Sequence, residues 1–184
     1  MKSSQVLLDA SDIDRILVRI SHEILEVHRG TKQLVLIGIL TRGLYLARRI
    51  REKINQIEGV EIPTGQVDIT LYRDDWTRLS LNPVVKETKI DFSVDGKKII
   101  LVDDVLFTGR TIRAAMDLVI DFGRPDRIEL AVLVDRGHRE LPIRGDYLGK
   151  VVETRRSETV NVLMKEQDGK DEVVLVKEGL NGSS

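Results

Sequence analysis

The chain of 184 residues contains no cysteine. That excludes a disulfide framework and any thiolate-ligated metal. Its three histidines, His22, His28 and His138, have no metal-like spacing. There is no Gly-x-x-x-x-Gly-Lys-Ser/Thr loop, no Gly-x-Gly-x-x-Gly and no His-Glu-x-x-His, and no serine sits in a nucleophile elbow. No apolar run approaches the roughly 18 residues of a membrane span. The apolar stretch near Met1 is too short for a signal peptide, so a cytoplasmic setting is expected. Net charge is only −1, which argues against a uniformly basic nucleic-acid binder.

What is present is an ordinary globular composition, 41% apolar and 32% charged, enough for one domain with its own core. The charge is uneven. Arg136 to Arg156 carries six Arg/Lys against three Asp/Glu, and Ser157 to Glu178 carries three Lys against six Asp/Glu. A basic patch can therefore sit inside a neutral total.

Apolar periodicity predicts a helix through Ile13 to Leu25, with Ser11 as its cap and Gly30 as its stop. Gln33 to Ile39 reads as a buried strand, Leu44 to Ile57 as a helix ending near Gly59, and Val67 to Tyr72 as a strand. Arg73 to Asp95 is polar and aperiodic. Lys98 to Val102 is a predicted strand, Thr111 to Phe122 a helix stopped by Gly123 and Pro125, and Ile128 to Val134 another strand. This alternation predicts an α/β fold with a mostly parallel central sheet flanked by helices. Val160 to Met164 and Val173 to Val176 flank Asp168-Gly169 and suggest an appended β hairpin. The whole chain, 1–184, reads as one domain with a small C-terminal hood formed mainly by 135–178.

The densest chemistry lies in Val102-Asp103-Asp104-Val105-Leu106-Phe107-Thr108-Gly109-Arg110-Thr111. Two carboxylates close a strand, at the end where open α/β sheets bind ligands. A glycine and two hydroxyls then open a helix, whose amides form an anion cradle. Carboxylates alone would repel a phosphate. A ribose phosphate uses both parts, with acids on the sugar hydroxyls and amides on the phosphate.

This string resembles the signature of the type I phosphoribosyltransferases, which bind 5-phosphoribosyl-1-pyrophosphate (PRPP). Gly38 to Gly43, Leu71 to Asp75 and Val134 to Arg144 further resemble the PyrR family of uracil phosphoribosyltransferases, many of which also bind RNA to attenuate pyrimidine operons. The resemblance implies that Asp103 and Asp104 are catalytic and that Val105, Leu106, Phe107, Thr108, Gly109, Arg110 and Thr111 bind the PRPP phosphate. Thr41, Arg42 and Gly43 would form the pyrophosphate loop, with a cis Leu40-Thr41 peptide. Tyr72, Arg73 and Asp74 would belong to a lid, and Arg136 and Val160 would serve the base.

Phe107 stands where hypoxanthine-guanine members carry an acid, which disfavours a purine. Arg19, His22, Arg139, Arg144 and Lys150 are candidate RNA contacts, Arg15 joining the first two on one helical face. Asp9, Asp12 and Asp14 lie close to that face, which also carries Val18 where the family's RNA-facing helix implies a polar residue. No metal-ligand set is visible; Mg²⁺ is expected to arrive with PRPP. Expected partners are PRPP, uracil or UMP, pyrimidine-operon leader RNA and further copies of the chain in a homo-oligomer, with no membrane. Two alternatives stay open: an RNA-binding attenuator with little catalysis, and a phosphoribosyltransferase for another base.

Overall fold

A computed structural model describes residues 3–72 and 87–177. The elements run β1 (Ser3–Leu8), α1 (Ala10–His28), β2 (Leu34–Ile39), α2 (Arg42–Glu58), β3 (Thr64–Val67), β4 (Lys98–Leu106), α3 (Arg110–Asp121), β5 (Arg127–Asp135), β6 (Tyr147–Val151), β7 (Thr159–Leu163), α4 (Lys165–Asp168) and β8 (Glu172–Lys177). Five strands form a parallel sheet in the order β3-β2-β4-β5-β6. A separate antiparallel sheet has the order β1-β8-β7. The fold is the α/β architecture that the alternation of strand and helix signals predicts.

Alternation along the central strands explains the layering. Leu34, Leu36, Ile100, Val102, Ala131 and Leu133 face one core, shared with α1, α2 and the small sheet. Val35, Ile37, Ile99, Leu101, Leu130 and Val132 face the other, covered by α3. Every residue of β2 is buried, as a central parallel strand requires.

Several boundaries differ from expectation for local reasons. Asp9, not Ser11, caps α1: its side chain accepts from the Asp12 amide at 2.8 Å while the Asp12 carboxylate accepts from the Asp9 amide, a reciprocal capping box. Arg29, not Gly30, takes the left-handed position that ends the helix. β3 covers 64–67 rather than 67–72. The Asp68 carboxylate accepts from both the amide and the hydroxyl of Thr70, turning the chain just after Val67.

The hood also needs correction. Tyr147–Val151 is not part of it but the edge strand of the large sheet, parallel to β5. Its Gly149 lies so close to β5 that a Cβ would stand 2.2 Å from the Leu133 carbonyl oxygen. The hood instead recruits Ser3–Leu8 from the far end of the chain, in register Ser3 with Lys177. Arg49 of α2 clamps it down, donating to Glu166 at 2.7 Å and to Asp171 at 2.8 Å.

Candidate active site

The strand carrying the acid pair is longer than its apolar run suggests. β4 continues through Asp103 and Asp104 to Leu106, with Asp103 opposite Val132 and Leu106 opposite Asp135 on β5. Val102 to Leu106 is therefore strand, and only Phe107, Thr108 and Gly109 form the connecting turn. The acids are held rigidly by the sheet. Asp103 Oδ1 accepts from the Asp104 amide and Asp104 Oδ1 from the Val105 amide, both at 2.9 Å.

The two carboxyls have unequal surroundings. Asp103 is buried at 6% exposure, whereas Asp104 is half-buried. Burial pushes the Asp103 carboxyl well above the usual carboxylate range, and the charge of Asp104 raises it further. A carboxyl raised in the folded state contributes stability that is fully present below its unfolded value of about 3.9 and is lost as pH climbs through the folded value. Asp103→Asn removes that loss. In thermal melts of the ligand-free protein, the variant should gain on the wild type from about pH 4 toward neutrality. A difference that stays flat with pH would contradict this.

Gly109 has φ +91° and serves as N-cap of α3, with no side chain of its own to cap the helix; the Thr108 hydroxyl accepts from the Arg110 amide at 3.3 Å. The turn is braced from below, since the Thr108 carbonyl accepts from the Glu140 amide at 2.9 Å. A Cβ at Gly109 would touch Ile143 at 3.3 Å. Arg110 and Arg156 both pair with Glu140 and lower its carboxyl, Arg110 more strongly. The first turn of α3 follows the acid pair by one short turn, and amides at a helix start suit an anion.

Thr41, Arg42 and Gly43 stand at the start of α2, against β4. The Leu40-Thr41 peptide is cis, as the resemblance implies. Gly43 seats against β4: a Cβ there would lie 2.3 Å from the Val102 carbonyl oxygen and 3.2 Å from the Asp103 Cα. Arg42 reaches Asp168 of α4 at 3.2 Å, and its Nε is buried without a hydrogen-bond partner.

At the end of β5, Arg136 is 6% exposed and makes no ion pair among the described residues. Nε donates to the Thr154 hydroxyl at 3.3 Å and a terminal nitrogen to the Arg155 carbonyl at 2.9 Å. Its guanidinium lies 4.1 Å from the Phe107 ring centroid. His138 meets the same ring edge-on at 5.9 Å. Val160 of β7 is buried within the core beneath the hood. Tyr72 donates to Asp121 at 2.7 Å, which raises its phenol; Arg73 and Asp74 lie outside the described residues.

The RNA candidates do not all share one role. Arg19 donates to the Leu148 and Gly149 carbonyls at 3.0 and 2.7 Å, tying α1 to β6, and Lys150 donates to the Leu7 carbonyl. His22 and Arg144 are exposed. Arg139 departs from the expected surface role. It turns inward, donating to the Phe107 and Ile143 carbonyls at 2.8 Å and pairing with Asp135, so it scaffolds the turn beneath the acid pair. The sequence reading placed His138 at the base corner without giving it a role, and missed Arg156 and Asp168 as neighbours of the site. Asp168 carried only a turn signal.

Residues 6–166 match the family model described as phosphoribosyl transferase domain. The bifunctional protein PyrR of Caldicellulosiruptor bescii is 56% identical over 175 residues, covering 95% of this chain and 96% of that one. The chain belongs to the PyrR family of phosphoribosyltransferases. PyrR of Thermus aquaticus is 57% identical over 97% of this chain and 99% of its own. Among solved structures, the Trypanosoma cruzi hypoxanthine phosphoribosyl transferase superimposes with a TM-score of 0.72, at 16% identity over 94% of this chain and 91% of that one. That likeness speaks for the fold alone. Among the described residues of this PyrR chain, no helix is long and apolar enough to cross a membrane.

Proposed function

We propose that the protein joins uracil N1 to C1 of PRPP, releasing pyrophosphate and forming UMP, and that it also regulates pyrimidine operons by binding leader RNA. One observation carries the enzymatic reading. The Asp103–Asp104 pair lies near the C-terminal end of β4, one short turn before the start of α3, and Gly43 brings the Thr41–Arg42 turn against the same strand.

C1–N1 bond formation and departure of pyrophosphate pass through a sugar with cationic character. The protein's work is positioning and electrostatics. Asp104, with Asp103 behind it, accepts from the ribose hydroxyls and sets negative charge beside the developing cation. The α3 amides and the hydroxyls of Thr108 and Thr111 hold the 5-phosphate. Arg42 and the amides of the cis turn receive the leaving pyrophosphate. Mg²⁺ belongs to the substrate complex. Among the described residues, no group of three His, Cys, Asp or Glu is placed to hold a metal on its own.

Phe107, covered by Arg136, presents an apolar surface with a fixed cation rather than a carboxylate toward the base. That supports uracil over a purine. The relatives named bifunctional protein PyrR, at 54–57% identity, support the regulatory role. A homo-oligomer and a cytoplasmic setting belong to the same proposal and rest on the family resemblance. Pyrophosphate release from PRPP, measured base by base, tests the substrate: uracil should react, and turnover with guanine or xanthine alone would overturn the reading. Salt-dependent binding of operon leader RNA, strengthened by UMP, tests the second role. An absence of RNA binding at any salt would leave catalysis alone.

A further inference from the structure

Away from the acid pair, α2 and the outer edge of the large sheet line a half-open cavity of about 200 Å³. Arg48 and Arg51 reach it from the helix and Lys89 from the segment bridged antiparallel to Gln66. Thr64 and Gln66 complete the polar wall, and the Asp91 carboxylate also lines it, 3.4 Å from the Lys89 ammonium. A glycine lets these walls approach: a Cβ at Gly65 would lie 3.1 Å from the Lys89 carbonyl oxygen.

The charge here is unbalanced in a way that the rest of α2 is not. Arg42, Arg49 and Lys53 on the same helix each meet a carboxylate, at 3.2, 2.7 and 2.6 Å. Arg48 and Arg51 make no ion pair among the described residues. They stand three residues apart, on neighbouring positions of one helix face, where like charges repel. Folding does not need this arrangement, since an acid at either position would relieve the repulsion. Two guanidiniums and an ammonium around one concave space suit an anion with several oxygens, because guanidinium forks match phosphate geometry. The space far exceeds the roughly 10–15 Å³ that a single water needs, which leaves room for two linked phosphates. A half-open hollow of that size, with its cations gathered round one space, fits a compact polyanion better than a stretch of RNA backbone, which would call for an extended basic stripe.

We propose that this cavity is a second anion site that takes a diphosphate group, either free pyrophosphate or the tail of a nucleoside diphosphate. It is separate from the PRPP site and does not depend on the catalytic reading. Bound there, a diphosphate bridges α2 and the Gln66–Lys89 edge of the sheet.

The test is a titration of ¹⁵N-labelled full-length protein, saturated with Mg²⁺·PRPP in the absence of base, first with pyrophosphate and then with UDP. Amides of Gly65, Gln66 and Lys89 should shift, while those of Gly109 and Arg110 stay where PRPP has put them. Arg48→Gln and Arg51→Gln should each weaken this binding about tenfold or more, as loss of a charged hydrogen bond does. Uracil phosphoribosyl transfer should stay unchanged, since neither residue belongs to the PRPP site. Shifts with pyrophosphate and UDP alike assign the phosphates as the recognised group. Shifts with UDP alone would add the nucleoside as part of the ligand. Shifts confined to Gly109 and Arg110, or binding that survives both substitutions, would overturn the proposal. So would a loss of leader-RNA affinity in these variants without any pyrophosphate binding. If the protein proved not to bind PRPP, the Gly65 and Lys89 shifts would still be expected, so the two readings fail separately.

Discussion

Asp104→Asn should lower the rate of UMP formation by about 10²–10³-fold, the usual cost of removing one electrostatic contact to a developing charge. Stability should scarcely change. Asp104 is half-buried, and the Oδ1 that accepts from the Val105 amide is retained in asparagine. What is lost is the charge facing the sugar. Asp103 does not replace it, because its own burial favours the neutral form. Steady-state pyrophosphate release with a parallel thermal melt separates the two effects. A variant with wild-type turnover would remove Asp104 from the catalytic machinery.

Gly43→Ala should damage both folding and catalysis. The added methyl would meet the Val102 carbonyl oxygen at 2.3 Å, and both partners are backbone, so no rotamer change relieves the contact. Either α2 lifts from β4 or β4 bends. Overpacking of this kind costs about 1–3 kcal/mol. A shift of about 1 Å in the Thr41–Arg42 turn relative to Asp103 would cost roughly 10²-fold in rate. Denaturant midpoints and PRPP-dependent turnover of the variant report the two losses. Normal turnover with a normal midpoint would show that the turn is not held by this contact.

Both sites of substitution were visible in the sequence, one as an acid pair and one as a glycine before a helix. What the sequence makes legible follows from range. The run Leu34 to Ile39 and the stops at Gly59 and Gly123 act within a few residues, so their pattern announces them. β1 and β6 carry no such pattern. Ser3, Ser4 and Gln5 are exposed and polar and become a strand only because β8 lies beside them. Tyr147–Val151 contains a glycine at its centre, which weakens a strand signal, and that glycine is there for close packing on β5.

The acid pair and the Gly109 turn were reachable from consecutive residues, and the cis peptide only through the family resemblance they carry. The Arg136–Phe107–His138 stack, the Arg42–Asp168 pair and the inward turn of Arg139 join residues far apart in the chain. Residue type alone gave Arg139 the role of a surface cation, and only the position of the Phe107 and Ile143 carbonyls reverses it.

The pairing of β1 with β8 also fixes an order of assembly. The last strand of the large sheet ends at Val151, so the acid pair and the Gly109 turn have all their sheet partners before β7 and β8 have been synthesised. β1, the first strand made, waits for the last one to be released. Domains form from the N-terminus as the chain emerges, and pairing between distant segments comes late. The large sheet therefore has all its strands while β7 and β8, which close its shared core, are still to be made. A chain cut short at its C-terminus loses its hood before it loses a strand of the large sheet.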